Sequence, residues 1–596
     1  MVSIGGTLAL LVVVALVASV AVVGRLDRER AARVGDAVRA RLVMGVPWGT
    51  LVVMGFVLAV YLFVQDGITD WHDPVVLPYR AWSYFYPLGM LTGSFSHADA
   101  GHLTGNLVGT LAAAPIAEYA WGHYPRKRGS EAFSTWKTNP WLRALVVFPG
   151  VVIAVGLATS LFAVGPVIGF SGVVYAFAGF AVVRYPLATL LSTTVLQSAL
   201  FTIYRGVWTP VLEVTAQPSP PSAPSWATVA IQGHAVGLLI GFLLGLWLFR
   251  RRGELPSPGR LWIGLLLFGF ARSFWAIYWF RGGETYVLYR GLGVVVVAWL
   301  AIVLAVAAVG PERPLLGRWS PGDSAGQVAA SSADGGRDRS RSASERLREA
   351  IAGRGPDGSL RGTIASASPR GAALVVVLVL LGAMAGPAIP VNAFVVSGDT
   401  GDAGEEGTLA VEDYSITYAE GVENRLVGAV DIGPLESATT VETGGVIVSS
   451  SERQIWTDAV PAGELAFAGR STVVVGGPGW RESVTATRAG WTATGGETAY
   501  QVWLAPAGGE PQHAFASGPA RAALTLAGHD VSIVPEGGEF RVAIEGEVNA
   551  TAELPEPGES VTLGPVTFER EGSGLYGAVE GTRVQVASAE TYGELE

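Results

Sequence analysis

The sequence predicts an all-α polytopic membrane protein with an all-β soluble domain at its C-terminal end. Three observations carry that prediction. Hydrophobic residues make up 50% of the 596-residue chain, and the mean hydropathy is +0.40, both too high for a soluble protein of ordinary composition. The apolar residues gather into about ten runs of the length, roughly 20 residues, that a helix needs to cross a hydrocarbon core. From about residue 397 onward such runs are replaced by short alternating stretches such as RSTVVVGG, EFRVAIEGEV and ESVTLGPVTF, punctuated by Gly and Pro, the pattern of an all-β domain such as a sandwich.

The expected spans are residues 4–23, 46–64, 102–121, 141–162, 169–185, 187–204, 226–249, 261–280, 291–309 and 372–391. The first is apolar like a signal peptide, but no basic residues precede it and an Arg cluster follows it, so it is read as a retained span. Arginines fix the orientation. The Arg-rich segment 25–41, Arg126-Lys127-Arg128, Arg184, Arg250-Arg251-Arg252 and the Arg- and Ser-rich linker 311–370 each follow an odd-numbered span. Simple alternation then puts all five on the cytoplasmic side and both termini outside, with the linker disordered. The expected organisation is a span with its basic segment (1–44), a six-helix core (45–250), two further spans (251–310), the linker (311–370), a last span (371–392) and an acidic extracytoplasmic β-rich domain (393–596). The expected location is the cell membrane.

Composition excludes several functions. There is no cysteine, which removes disulfides, thiolate catalysis and Cys-based metal sites. The net charge is −10, and past residue 397 roughly thirty Asp and Glu face nine Arg and no Lys. No soluble segment offers the basic face that nucleic-acid binding requires. Asn549-Ala550-Thr551 fits a glycosylation acceptor.

Polar side chains within spans are functional hypotheses by default. His234 lies in IQGHAVGLLIG, His102 and Asn106 in HLTGN, and Ser171 in GFSGVVYAF. On the expected topology all four sit near the outer ends of three different helices. Each alone has a plainer reading. A serine between glycines lets helices pack; a lone histidine bonds across helices or lines an ion path; His102 and Asn106, four apart, share one face and suit an interhelical contact. A metal site on His97, His102 and His234 lacks HExxH spacing and neighbouring carboxylates, so no metal and no cofactor are expected. A solute transporter would show midplane charges or interrupted helices repeated in two halves, and neither is present.

Together the four residues meet the requirements of serine acyl transfer. His234 supplies a general base for a Ser171 nucleophile. Asn106, His102 and the Ser171 backbone N–H, unpaired at a helix start, supply oxyanion donors. Tyr175, one turn along from Ser171, is placed to stack on the imidazole. No acidic third member is evident, so the pattern is a dyad.

In these motifs the chain resembles the rhomboid family of intramembrane serine proteases. HADAGHLTGN (His97, His102, Asn106) resembles the family's His-His-Asn pattern, GFSGVVYAFAG (Gly169, Ser171, Gly172, Tyr175) its GxSG nucleophile motif, and GHAVGLLIG (His234, Gly237, Gly241) its closing HxxGxxxG helix. Glu118 stands where the family often has a structural glutamate. The resemblance spans roughly residues 46–249 and implies a six-helix rhomboid-like core; about four additional spans lie outside it. It implies cleavage of the membrane helices of protein substrates that enter laterally from the bilayer, with 187–204 as the gate, 205–225 as the cap and the loop 65–100 as a partly embedded hairpin. The family's Trp-Arg pair in that loop is absent. Inactive relatives that bind membrane proteins generally lose the serine or the histidine, and both are present here. The resemblance says nothing of the extra spans or the β domain.

Overall fold

The computed structural model describes residues 4–593 except 125–132, 134, 213, 215–218, 220, 282–284, 313–367, 396–406 and 424–441. Most of the expected linker, the Arg126-Lys127-Arg128 cluster and part of the expected cap therefore lie outside the described residues. Each of the ten apolar runs contains a helix. The helices are α1 (Ile4–Leu26), a polar α2 (Arg28–Arg41), α3 (Trp48–Val64), α4 (Ala100–Trp121), α5 (Pro140–Leu161), α6 (Ser171–Val182), α7 (Pro186–Trp208), α8 (Ile231–Arg252), α9 (Pro258–Ala271), α10 (Arg290–Val309) and α11 (Pro369–Ala393). Among the described residues, six of these (α1, α5, α7, α8, α10 and α11) are long and apolar enough to cross a membrane, while α3, α6 and α9 are shorter apolar helices. The chain is thus a multi-span helical membrane region followed by a β-rich domain.

Two expectations need correction. The fifth helix begins at Ser171, not Gly169, because Gly169 has φ of +118°, outside the helical region. The run 261–280 is not one helix. It stops at Ala271, Ser273 takes a left-handed φ of +58°, and Tyr278–Phe280 pairs antiparallel with Tyr286–Leu288. Apolarity alone reads YWF as span; aromatic residues favour the pleated surface of a strand once the helix is broken.

Helix α6 is the hub. On one side Val173, Phe177 and Ala181 join Val53, Val57, Tyr61, Leu103, Phe148 and Val152 of α3, α4 and α5. On the other, Val182 joins Leu239, Phe242 and Phe249 of α8, and the same cluster runs on through Leu261 of α9, Leu304 of α10 and Val377 of α11. Helices α9, α10 and α11 are therefore packed onto the α8 side of the core, whereas α1 lies against the Gln197–Trp208 half of α7. At one end of the bundle, Arg41, Arg143 and Arg252 donate to the carbonyls of Tyr119, Ala120, Trp121, Gly122 and His123, satisfying the open C-terminal end of α4. Beside them the buried Glu118 carboxylate accepts from the amides of Gly49 and Thr50, the Thr50 hydroxyl and the His123 ring, tying the start of α3 to the end of α4.

The β-rich region runs from Leu409 to Ala589 in antiparallel strands. Its spine is the long strand Trp480–Ala493, which pairs with Arg470–Gly477, with Thr498–Pro506 and, through its last residues, with Thr582–Ala589. Two apolar cores result. Trp491, Val531, Ile544, Phe568 and Leu575 build the later one. The earlier one, around Ile416, Val448, Val475 and Leu504, is completed by Leu77 and Trp82 from the loop between α3 and α4. This loop was expected as a partly embedded hairpin, yet its Leu77 and Trp82 side chains face the β domain.

Candidate active site

Ser171 and His234 are placed by two helices that touch along their backbones. A β-carbon on Gly237 would overlap the Gly172 carbonyl, and one on Gly241 would overlap the Ala176 carbonyl. Only glycine permits α8 to approach α6 so closely. Gly172 serves two neighbours at once. Its carbonyl receives Gly237, while its missing side chain makes room for Thr159 of α5. Gly169 is needed for a third reason: besides its positive φ, any side chain there would collide with the His102 ring.

The close approach leaves His234 Nε2 2.8 Å from Ser171 Oγ. The Tyr175 ring lies parallel to the imidazole, with centroids 4.2 Å apart at 14°. Phe268 and Phe274 meet Tyr175 edge-on at 6.0 and 5.5 Å, so the stacking ring is itself held. Among the described residues no carboxylate bonds to His234, and no group of His, Asp and Glu is arranged to hold a metal ion.

His102 and Asn106 lie one turn apart on α4. Asp99 caps that helix by accepting from the His102 amide at 2.8 Å. His102 Nδ1 accepts from the Ala98 amide at 3.4 Å, which leaves the ring proton on Nε2. Asn106 Nδ2 is buried without a hydrogen-bond partner. Ser171, Tyr175, His234, His102 and Asn106 all line one cavity of about 370 Å³. His97 does not. It is fully buried behind His102, with ring centroids 5.2 Å apart, and its backbone is clamped at both N–H and C=O by the Gln65 side chain.

Two further polar lining residues bond to each other. Gln197 comes from α7, and Arg272 caps α9 and donates to the Gln197 Oε1 oxygen. Arg272 was visible as the one charged residue inside the run 261–280. Gln232, two residues before His234, was passed over. It bonds the Phe162 and Met384 carbonyls and the Val164 amide, joining α8 to the end of α5 and to α11.

Comparison with known families bears on one part of this helical region. Residues 136–251 match the family model described as Rhomboid domain. That segment is a rhomboid-family domain. It takes in Ser171, Tyr175 and His234 and begins beyond His102 and Asn106. No curated protein and no solved structure matches the chain. The rhomboid domain is thus joined to α9–α11 and to a β domain for which neither comparison offers a counterpart.

Proposed function

We propose that the protein is an intramembrane serine endopeptidase, working in the cell membrane with its β domain on the extracytoplasmic side. The observation that carries the reading is the 2.8 Å contact between Ser171 Oγ and His234 Nε2 on the wall of a cavity that also holds an unpartnered amide donor, Asn106 Nδ2.

Ser171 Oγ attacks a peptide carbonyl as His234 Nε2 takes its proton. The tetrahedral oxyanion is met by Asn106 Nδ2, His102 Nε2–H and the Ser171 amide, which has no intrahelical acceptor at the start of α6. The intermediate collapses as the imidazolium passes its proton to the leaving amine. A water, deprotonated by the same ring, then frees the acyl-enzyme and restores both groups. Tyr175 keeps the ring in plane for both transfers. The substrate is a membrane-spanning protein segment entering between α4 and α7. Two features support that route: the Gln197–Trp208 half of α7 has no buried residue, whereas its earlier half is pinned where the Ser192 hydroxyl donates to the Ala112 carbonyl at 2.6 Å.

The test is covalent labelling of the purified full-length protein by a fluorophosphonate. Labelling should require both Ser171 and His234; equal labelling of wild type and Ser171→Ala would end the protease reading.

A further inference from the structure

Among the described residues, the lining of the cavity around Ser171 holds no Asp or Glu, and Arg272 is its one Arg or Lys. The guanidinium donates to Gln197, a neutral partner, and the titratable groups near it among the described residues are the Tyr175 phenol and the His234 imidazole. An arginine at this depth is costly unless it is paired. It carries five N–H donors in a fixed fork, and the described bond to Gln197 occupies one nitrogen. The fork matches a carboxylate, which it binds through two parallel hydrogen bonds. Arg272 is also held in place: it ends α9, and the flanking Phe268 and Phe274 both pack on Tyr175. The charge is thus anchored by the same ring that stacks on His234.

We infer that Arg272 is a specificity-determining residue that receives an Asp or Glu side chain of the substrate, close in sequence to the bond that Ser171 attacks. The inference rests on the protease reading above. It gives the helix after the core a role at the site: α9 contributes a charge that the six core helices do not. It also gives Gln197 a role. This residue lies on the α7 segment proposed as the gate and holds Arg272 while the cavity is empty, and an arriving carboxylate takes its place. The substrate class is therefore a membrane segment with an acidic residue within a few positions of the cleaved bond.

The test uses the full-length protein in liposomes with a fluorogenic single-span reporter of small residues. Asp, Asn and Lys are placed in turn at each of four positions on either side of the cleaved bond. Wild type should favour Asp over Asn at one position by about tenfold or more in kcat/KM, the preference expected for a water-poor charge pair. Arg272→Met should bring that ratio to about one, and Arg272→Lys should keep part of it. Arg272→Glu should turn the preference toward the Lys reporter, a gain that misfolding cannot produce. Indifference of wild type to Asp and Asn at every position, or a preserved ratio in Arg272→Met, would overturn the inference while Ser171-dependent fluorophosphonate labelling left the protease reading standing. Absence of that labelling would remove both.

Discussion

Asn106 separates chemistry from packing more sharply than Ser171 does. A polar residue kept for packing would bond to a neighbouring helix, and its loss would destabilise the fold. Asn106 Nδ2 is buried, unpartnered and on the wall of the Ser171 cavity, so in the resting protein that donor serves no neighbour. Its removal should be felt in the transition state. Asn106→Ala is expected to lower kcat by about 10²-fold with little change in KM, while the thermal unfolding midpoint stays close to that of wild type. Loss of activity in step with loss of folded protein would return Asn106 to the packing reading. The residues named for this site were legible because polar groups in apolar runs stand out. Arg272 stood out by the same criterion, but its run was read as one uninterrupted span. Gln197 gave no such signal, because a glutamine among Ser and Thr residues looks like any polar stretch until α9 sets Arg272 against it.

At the scale of elements, the hairpin formed by Tyr278–Phe280 and Tyr286–Leu288 takes over part of the work of covering the site. Thr228, Val229 and Ala230 line the cavity just before α8. They are held from outside, where the Tyr278 hydroxyl donates to the Ala227 carbonyl at 2.8 Å and Trp226 meets Tyr278 and Tyr286 edge-on at 5.4 and 6.2 Å. One hydrogen bond and a ring pair each contribute about 1 kcal/mol, enough to shift a local opening without unfolding the bundle. Tyr278→Phe combined with Trp226→Ala should therefore speed amide hydrogen exchange at residues 225–230 and raise the rate at which a bulky fluorophosphonate reaches Ser171. Unchanged exchange in that segment would show that the hairpin does not hold it. The hairpin was hidden in the sequence because an aromatic strand and the end of a span have the same apolarity, and a left-handed Ser273 is a three-dimensional fact. The helices were easier to read, since twenty apolar residues in a row admit few other structures.

At the scale of the whole molecule, the β domain and the membrane region share an apolar core. Trp82 is fully buried, and with Leu77 it packs among Tyr414, Ile416, Val475 and Leu504, residues more than 300 positions away. No local pattern announces such a contact; a Leu and a Trp in a polar loop look like interfacial anchors. Polar bonds surround the seam. Arg481 donates to the Asp73 carbonyl and lies 3.8 Å from the Asp66 carboxylate, and the Asn392 carbonyl at the end of α11 accepts from Ser83 and Tyr84. The Asn392 amide in turn reaches the Ala163 carbonyl, in the segment that leads to Ser171. The loop that carries His97 toward His102 is thereby part of the β domain's own core. Trp82→Ala empties the centre of that seam, and a buried Trp truncation costs about 3–5 kcal/mol. Because that cost falls on a shared core, the β domain should lose protection together with the loop: faster hydrogen exchange in Tyr414–Glu423 and in residues 65–97, with the α6–α8 pair unaffected. Exchange confined to the loop would mean that the β domain is held by α11 alone. Exchange rising in all three places would mean that the seam supports the helical bundle itself.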